Sequence, residues 1–131
     1  MTQRGHTFFM EGKMKKIINI DGKDYTMQSS AYTQFAYRDL TGRSLLKDLQ
    51  AIISNVDKVQ EDYSILDDMT EMILDIAYIM IKEADEKQVA SKEDFYKSVE
   101  SIYDNENPWL QDVITLAINP ISRQLQNNIN K

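Results

Sequence analysis

The chain has 131 residues, 42% of them hydrophobic and 27% charged, which fits one ordinary globular domain and excludes a disordered tail. It has no cysteine, so a disulfide framework and a thiolate zinc site are both excluded, as expected of a protein in a reducing cytosol. Fifteen Lys and Arg against 21 Asp and Glu leave a formal charge of -6, which repels phosphate backbones and argues against nucleic-acid binding.

Residues 1–13 are polar and lack clear periodicity. They precede Met14-Lys15-Lys16-Ile17, which reads as a natural start, so a flexible extension without function is expected there. Phe8-Phe9-Met10 is too short for the apolar core of a secretory signal. No apolar run approaches the roughly 20 residues needed to span a bilayer, so a soluble protein with no membrane partner is expected. Next, Lys16–Ile20 and Lys23–Met27 flank Asp21-Gly22, a pair that accepts the positive φ angles of a type I′ turn. The resulting hairpin sets Ile18 opposite Tyr25 and Lys16 opposite Met27. One face then carries Ile18, Ile20, Tyr25 and Met27, while Asn19 and Asp24 point to the other. A lone hairpin is marginal in water, so the apolar face must lie on helices.

Everything after Ser29 reads as helix. Ser29 or Ser30 caps a segment from 31 to about 40 with Tyr32, Phe35, Ala36 and Tyr37 as its apolar members, and Gly42 is a natural stop. Ser44 caps the next, where Leu45, Leu46, Leu49, Ile52 and Ile53 recur at helical spacing. A polar connection over 55–64 leads to the strongest helix, Ile65 to Ala84. Its apolar stripe is so wide that only a narrow ridge of Asp68, Glu71, Asp75 and Lys82 remains polar, which marks the central element. Ser91-Lys92-Glu93-Asp94 resembles a capping box before a short helix bearing Phe95, Val99 and Ile102. Residues 104–107 break it, and Pro108 suits the first turn of a last helix through Leu125, which Pro120 kinks or ends. The expected fold is α+β, mostly α: an N-terminal β-hairpin packed on a compact bundle of about five helices. One domain over 14–126 is followed by a fraying tail at 127–131.

A search for chemistry leaves little. The one histidine, His6, falls in the N-terminal extension, where a general base is not held in place. None of the four glycines belongs to a phosphate-binding loop. Asp67, Glu71 and Asp75 stack on one helical face, and a solvated polar face is the simpler reading beside a divalent-cation site. Asp104-Asn105-Glu106 lacks the spacing and central glycine of a calcium loop. No catalytic residue, metal or cofactor is therefore expected. Met69, Met72 and Met80 are read either as core or as an adaptable binding groove, and Trp109 either as a core anchor or as a binding hot spot. Around Gly42, Arg38, Asp39, Arg43 and Asp48 are placed to pair across a helical corner.

Several strings also stand in a familiar order. They are Ile17-Ile18-Asn19-Ile20-Asp21-Gly22-Lys23-Asp24-Tyr25, then Tyr37-Arg38, Gly42-Arg43 and Leu46-Lys47-Asp48-Leu49. Ile76-Ala77-Tyr78-Ile79-Met80 with Ala84-Asp85, Asp94-Phe95 and a final helix entered near Trp109 follow. From Met14 onward the chain resembles the tail assembly chaperones of long-tailed, siphovirus-type bacteriophages and prophages of Gram-positive bacteria. Thr41 stands where that family usually has a bulky aromatic or acidic residue. The resemblance implies a protein of the host bacterial cytoplasm that binds and solubilises the tape-measure protein and helps recruit tail-tube subunits. It implies absence from the mature virion, and in many phages a longer form made by a ribosomal frameshift, a further partner. Self-association into a homo-oligomer stays open. The client surface is expected on Met69, Met72 and Met80, or on Trp109, Ile114, Ile118 and Ile121. The corner carrying the resemblance is Tyr37, Arg38, Gly42, Arg43 and Asp48. The competing reading is a small helical adaptor or regulatory protein of a prophage or host.

Overall fold

A computed structural model describes residues 7–10, 13–55, 64–102 and 108–121. His6, the connection over 56–63, the break at 104–107 and the C-terminal tail lie outside the described residues. Among the described residues three strands, β1 (Thr7–Met10), β2 (Lys13–Ile20) and β3 (Lys23–Ser29), precede five helices. These are α1 (Thr33–Thr41), α2 (Leu45–Asn55), α3 (Ile65–Ala84), α4 (Lys92–Ser98) and α5 (Trp109–Ile118). The fold is α+β and mostly α, as the sequence predicts.

The β2–β3 hairpin forms in the expected register, with Ile18 opposite Tyr25 and Lys16 opposite Met27. Asp21 and Gly22 both take positive φ, 54° and 88°, as a type I′ turn requires. Ile18, Ile20, Tyr25 and Met27 are buried, each such side chain contributing about 1.5–3 kcal/mol. On the outer face Asn19 Nδ2 donates to Asp24 Oδ1 at 2.8 Å.

One expectation at the strands needs correcting. Thr7–Met10 is not an appendage: it pairs antiparallel with β2, giving the sheet order β1-β2-β3. Four residues are too few to show alternation, so their pairing is set by β2's free edge rather than by a pattern of their own. The opposite edge, on β3, is partly covered from the loop after α3. Gln88 Oε1 accepts from Thr26 N at 2.8 Å and Gln88 Nε2 donates to Thr26 O at 2.7 Å, as a neighbouring strand would.

Helix α3 is central. Met69, Ile73, Leu74, Ile76, Ala77, Ile79, Met80 and Ile81 are all buried, and the helix packs under the sheet and against α1, α2, α4 and α5. Its C-terminal end is tied to the start of α1. Glu83 accepts from Ser30 Oγ at 2.8 Å and from Thr33 Oγ1 at 2.6 Å. Trp109 is buried and donates its indole N–H to Ser101 O at 3.2 Å.

Helix ends follow local chemistry. Gly42 closes α1 in the left-handed region, φ 75°, with its N–H on Arg38 O at 2.7 Å. Ser44 Oγ accepts from Lys47 N at 3.3 Å, and Ser91 Oγ from Asp94 N at 3.1 Å, so these two serine caps form. Helix α1 instead begins at Thr33, with Tyr32 at its N-cap and no side-chain cap bond from Ser29 or Ser30. Helix α4 stops at Ser98, short of the predicted Ile102. Val99 is extended, Ser98 Oγ turns back onto Phe95 O at 2.7 Å, and Glu100 N is drawn to Asp21 in the hairpin turn. Helix α5 ends at Ile118, two residues before Pro120, so of the two outcomes predicted there the early end is the one seen.

Candidate functional site

The glycine corner between α1 and α2 folds inward onto α3. Gly42 reverses the chain, and the next residue, Arg43, is aimed at the middle of the central helix. Its Nε donates to Asp48 Oδ2 at 2.8 Å, and its Nη2 donates to Tyr37 OH at 3.1 Å and to Asp75 Oδ2 at 3.1 Å. Tyr37 OH donates in turn to Asp48, and Tyr96 OH, from α4, to Asp75. Lys92 Nζ stands 3.7 Å from Asp75 Oδ1, and Arg43 Nη1 stands 3.7 Å from Glu71 at the outer rim. Asp75 is only 1% exposed, so this cluster is an internal brace joining α1, α2, α3 and α4. The sequence led us to expect a solvated carboxylate ridge on α3. Asp67, Asp68 and Glu71 fit that reading, whereas Asp75 does not, because α4 and the corner close over it.

The brace is electrostatically matched. Burial, then the bond to Asp48, raises the Tyr37 phenol well above its ordinary value and keeps it neutral. Tyr96 is raised likewise by burial and its bond to Asp75. The Arg43 guanidinium is held still more firmly in its charged form, chiefly by Asp48. Both tyrosines therefore serve as donors to carboxylates and are poor bases or nucleophiles near neutral pH. Among the described residues no group of three or more His, Asp or Glu is placed to hold a metal ion.

Beside the brace a cleft of about 450 Å³ opens between α2 and the first turns of α3. Ala51 and Asn55 line it from α2, Ile65, Met69 and Met72 form apolar lining from α3, and Asp67, Asp68, Glu71 and Arg43 complete it. Its volume falls in the range of roughly 300–1,000 Å³ usual for binding clefts. No family model, curated protein or solved structure matches the chain. What the cleft does must therefore be argued from its own chemistry.

The cleft joins two sets of sequence candidates that lie far apart in the chain, the corner residue Arg43 and the methionines Met69 and Met72. The other partner candidates are placed differently. Met80, Trp109 and Ile118 are buried in the core, and a partner cannot reach them while the fold stays closed. They are corrected to structural residues, because Met80 lies on the covered part of α3 and Trp109 and Ile118 lie on the face of α5 that packs against β2 and α3. Ile114 and Ile121 are half-buried against the same core. In the corner, Tyr37, Arg43 and Asp48 belong to the brace, Gly42 makes the turn, and Arg38 points to solvent with Asp39.

One surface was not singled out from the sequence. Tyr32 and Phe35, at the start of α1, are 61% and 54% exposed, and Leu40 is exposed near its end. The signal was available: with Ala36, Thr33 and Tyr37 these residues span about half of the helix circumference, more than one neighbouring helix covers. No helix among the described residues is long and apolar enough to cross a membrane.

Proposed function

We propose that the chain is a tail assembly chaperone of a long-tailed phage or prophage, acting in the host cytoplasm by binding and solubilising the tape-measure protein and helping to recruit tail-tube subunits. The resemblance names the role. The observation that carries its physical side is the cleft between α2 and α3, where the half-buried Met72 and Ile65 line the opening above the buried Met69. Flexible methionine side chains adapt to varied apolar partners, and a cleft between helices accepts an amphipathic helix by its spaced apolar residues. The exposed Tyr32 and Phe35 at the start of α1 offer a second apolar contact. Many copies on one long client would act by avidity, each contact being weak. Catalysis has no comparable support, since the buried carboxylates and phenols are engaged with one another.

The test is co-expression with the tape-measure protein encoded in the same genome. We expect the client to be insoluble alone, soluble with the chain and recovered with it on pull-down. A client that neither binds nor changes in solubility rules the proposal out for this chain acting alone.

A further inference from the structure

We infer that the cleft between α2 and α3 takes a basic amphipathic helix, an apolar side chain entering the lining of Ala51, Ile65, Met69 and Met72 while neighbouring Lys or Arg residues reach the carboxylates of α3. The inference takes from the proposed function only that a protein partner docks at this cleft.

Charge selects the occupant. Three carboxylates, Asp67, Asp68 and Glu71, line the cleft against one guanidinium, and all three are exposed. The Arg43 guanidinium is already committed, at 2.8–3.1 Å, to Asp48, Tyr37 and Asp75. Its remaining reach to Glu71 is a loose 3.7 Å. Asp67 and Asp68 lie in the first turn of α3, where the helix dipole supplies about half a positive charge, too little to neutralise them. Among the described residues the rim is therefore negative. The carboxylates are not grouped as metal ligands, so the field is spread along the cleft rather than focused on an ion. A spread negative rim above an apolar floor complements a helix with a stripe of apolar residues flanked by cations. An acidic helix would meet like charge, which costs affinity and slows association.

The experiment titrates the intact protein with labelled synthetic helices of roughly 18 residues, following anisotropy at low and high salt. One probe has a leucine stripe and lysines elsewhere, a second replaces lysine by glutamate, and a third keeps the lysines and replaces leucine by serine. The leucine–lysine helix is expected to bind, and the other two to bind at least about tenfold more weakly. The triple substitution Asp67→Asn, Asp68→Asn and Glu71→Gln should weaken the first helix by about tenfold or more. Ala51→Phe, which fills the cleft, should weaken it independently. Glu86→Gln, Glu93→Gln and Glu100→Gln together make the same change in net charge at exposed sites away from the cleft and should leave binding near wild type. Equal binding of the glutamate helix, equal loss in the distant triple, or no binding by wild type overturns the inference. If the client stays soluble with wild type while the lysine helix fails to bind, the inference falls alone. If the lysine helix binds at the cleft but the tape-measure protein is not solubilised, the chaperone reading falls and the inference stands.

Discussion

The two halves of α3 share one sequence character and meet different surroundings. From Ile73 to Ile81 the apolar side chains lie beneath β3 and against α5, and even the ridge residue Asp75 is closed in by α4 and the glycine corner. From Ile65 to Met72 the helix keeps its apolar stripe and buries Met69, but Ile65 and Met72 are only half-buried and line the cleft. Met80 and Met72 are chemically the same residue on one wide apolar stripe, about 80° apart around the helix axis. One is core and the other lines an opening. Periodicity therefore says which way a side chain faces along its own helix, and the neighbouring elements decide whether that face is a core or a surface.

The largest difference should appear at the carboxylates. Asp75→Ala removes the acceptor shared by Arg43, Tyr96 and Lys92, and stranding buried charge costs about 3–5 kcal/mol. Partial exposure of Arg43 and Lys92 lets water recover some of that, so a loss of about 3 kcal/mol is expected by urea unfolding. Glu71→Ala, one turn earlier, breaks only an exposed pair and should cost under about 1 kcal/mol. Equal losses at the two sites would mean that α4 does not close over Asp75.

The methionines sharpen the same contrast. Met80→Ala should cost about 2–5 kcal/mol through lost burial and the cavity left behind. Met72→Ala, with its side chain partly in the cleft, should cost about 1 kcal/mol or less while weakening partner binding. A Met72 variant as unstable as the Met80 variant would place the cleft residue in a closed core.

Legibility from sequence follows the same division. The Asp-Gly hairpin, its register and the glycine stop at the corner depend on a few adjacent residues, and they were readable at once. So was α3, whose length and stripe leave no other reading. The brace was half visible: Arg43 and Asp48 lie five residues apart, but Asp75 and Tyr96 reach them only through tertiary packing. The strand Thr7–Met10 was missed because its pairing belongs to β2's edge, and the end of α4 because Asp21 captures Glu100 from across the molecule. Among the methionines, the stripe is wide enough to take in both Met72 and Met80, and tertiary packing decides that Met80 is covered and Met72 lies at the margin.

A pH titration probes the brace more gently. Tyr37 is raised in the folded state above its ordinary value of 10.0, and the unfolded chain releases that proton first. The folded state thus binds more protons above pH 10, and stability is full below that value and falls as pH rises beyond it. The slope approaches about 1.4 kcal/mol per pH unit for each such phenol, and Tyr96 adds in the same direction. Tyr37→Phe should lose about 1–2 kcal/mol at neutral pH, by removing a donor to Asp48, and should flatten the alkaline fall by one phenol's share. An unchanged alkaline slope would show that Tyr37 ionises as freely in the folded protein as in the unfolded chain.

The smallest effect expected has the opposite sign. Ser29, at the end of β3 opposite Met14, is fully buried, and its hydroxyl has no hydrogen-bond partner. The polar groups on α3 described above are satisfied, the buried Asp75 by three partners and the half-buried Glu83 by the hydroxyls that follow Ser29. Ser29 carries the desolvation penalty without the bond that offsets it, a penalty of about 1–3 kcal/mol. Ser29→Ala removes the oxygen and keeps the backbone pairing with β2, leaving a gap no larger than one atom. Lost packing around that gap offsets part of the gain, so a net stabilisation of about 0.5–1 kcal/mol is expected by thermal unfolding. A loss of stability instead would mean that the hydroxyl is satisfied after all, by water entering beside the Ser30–Glu83 bond. The covered half of α3 would then be wetter at its end than the packing of its middle implies.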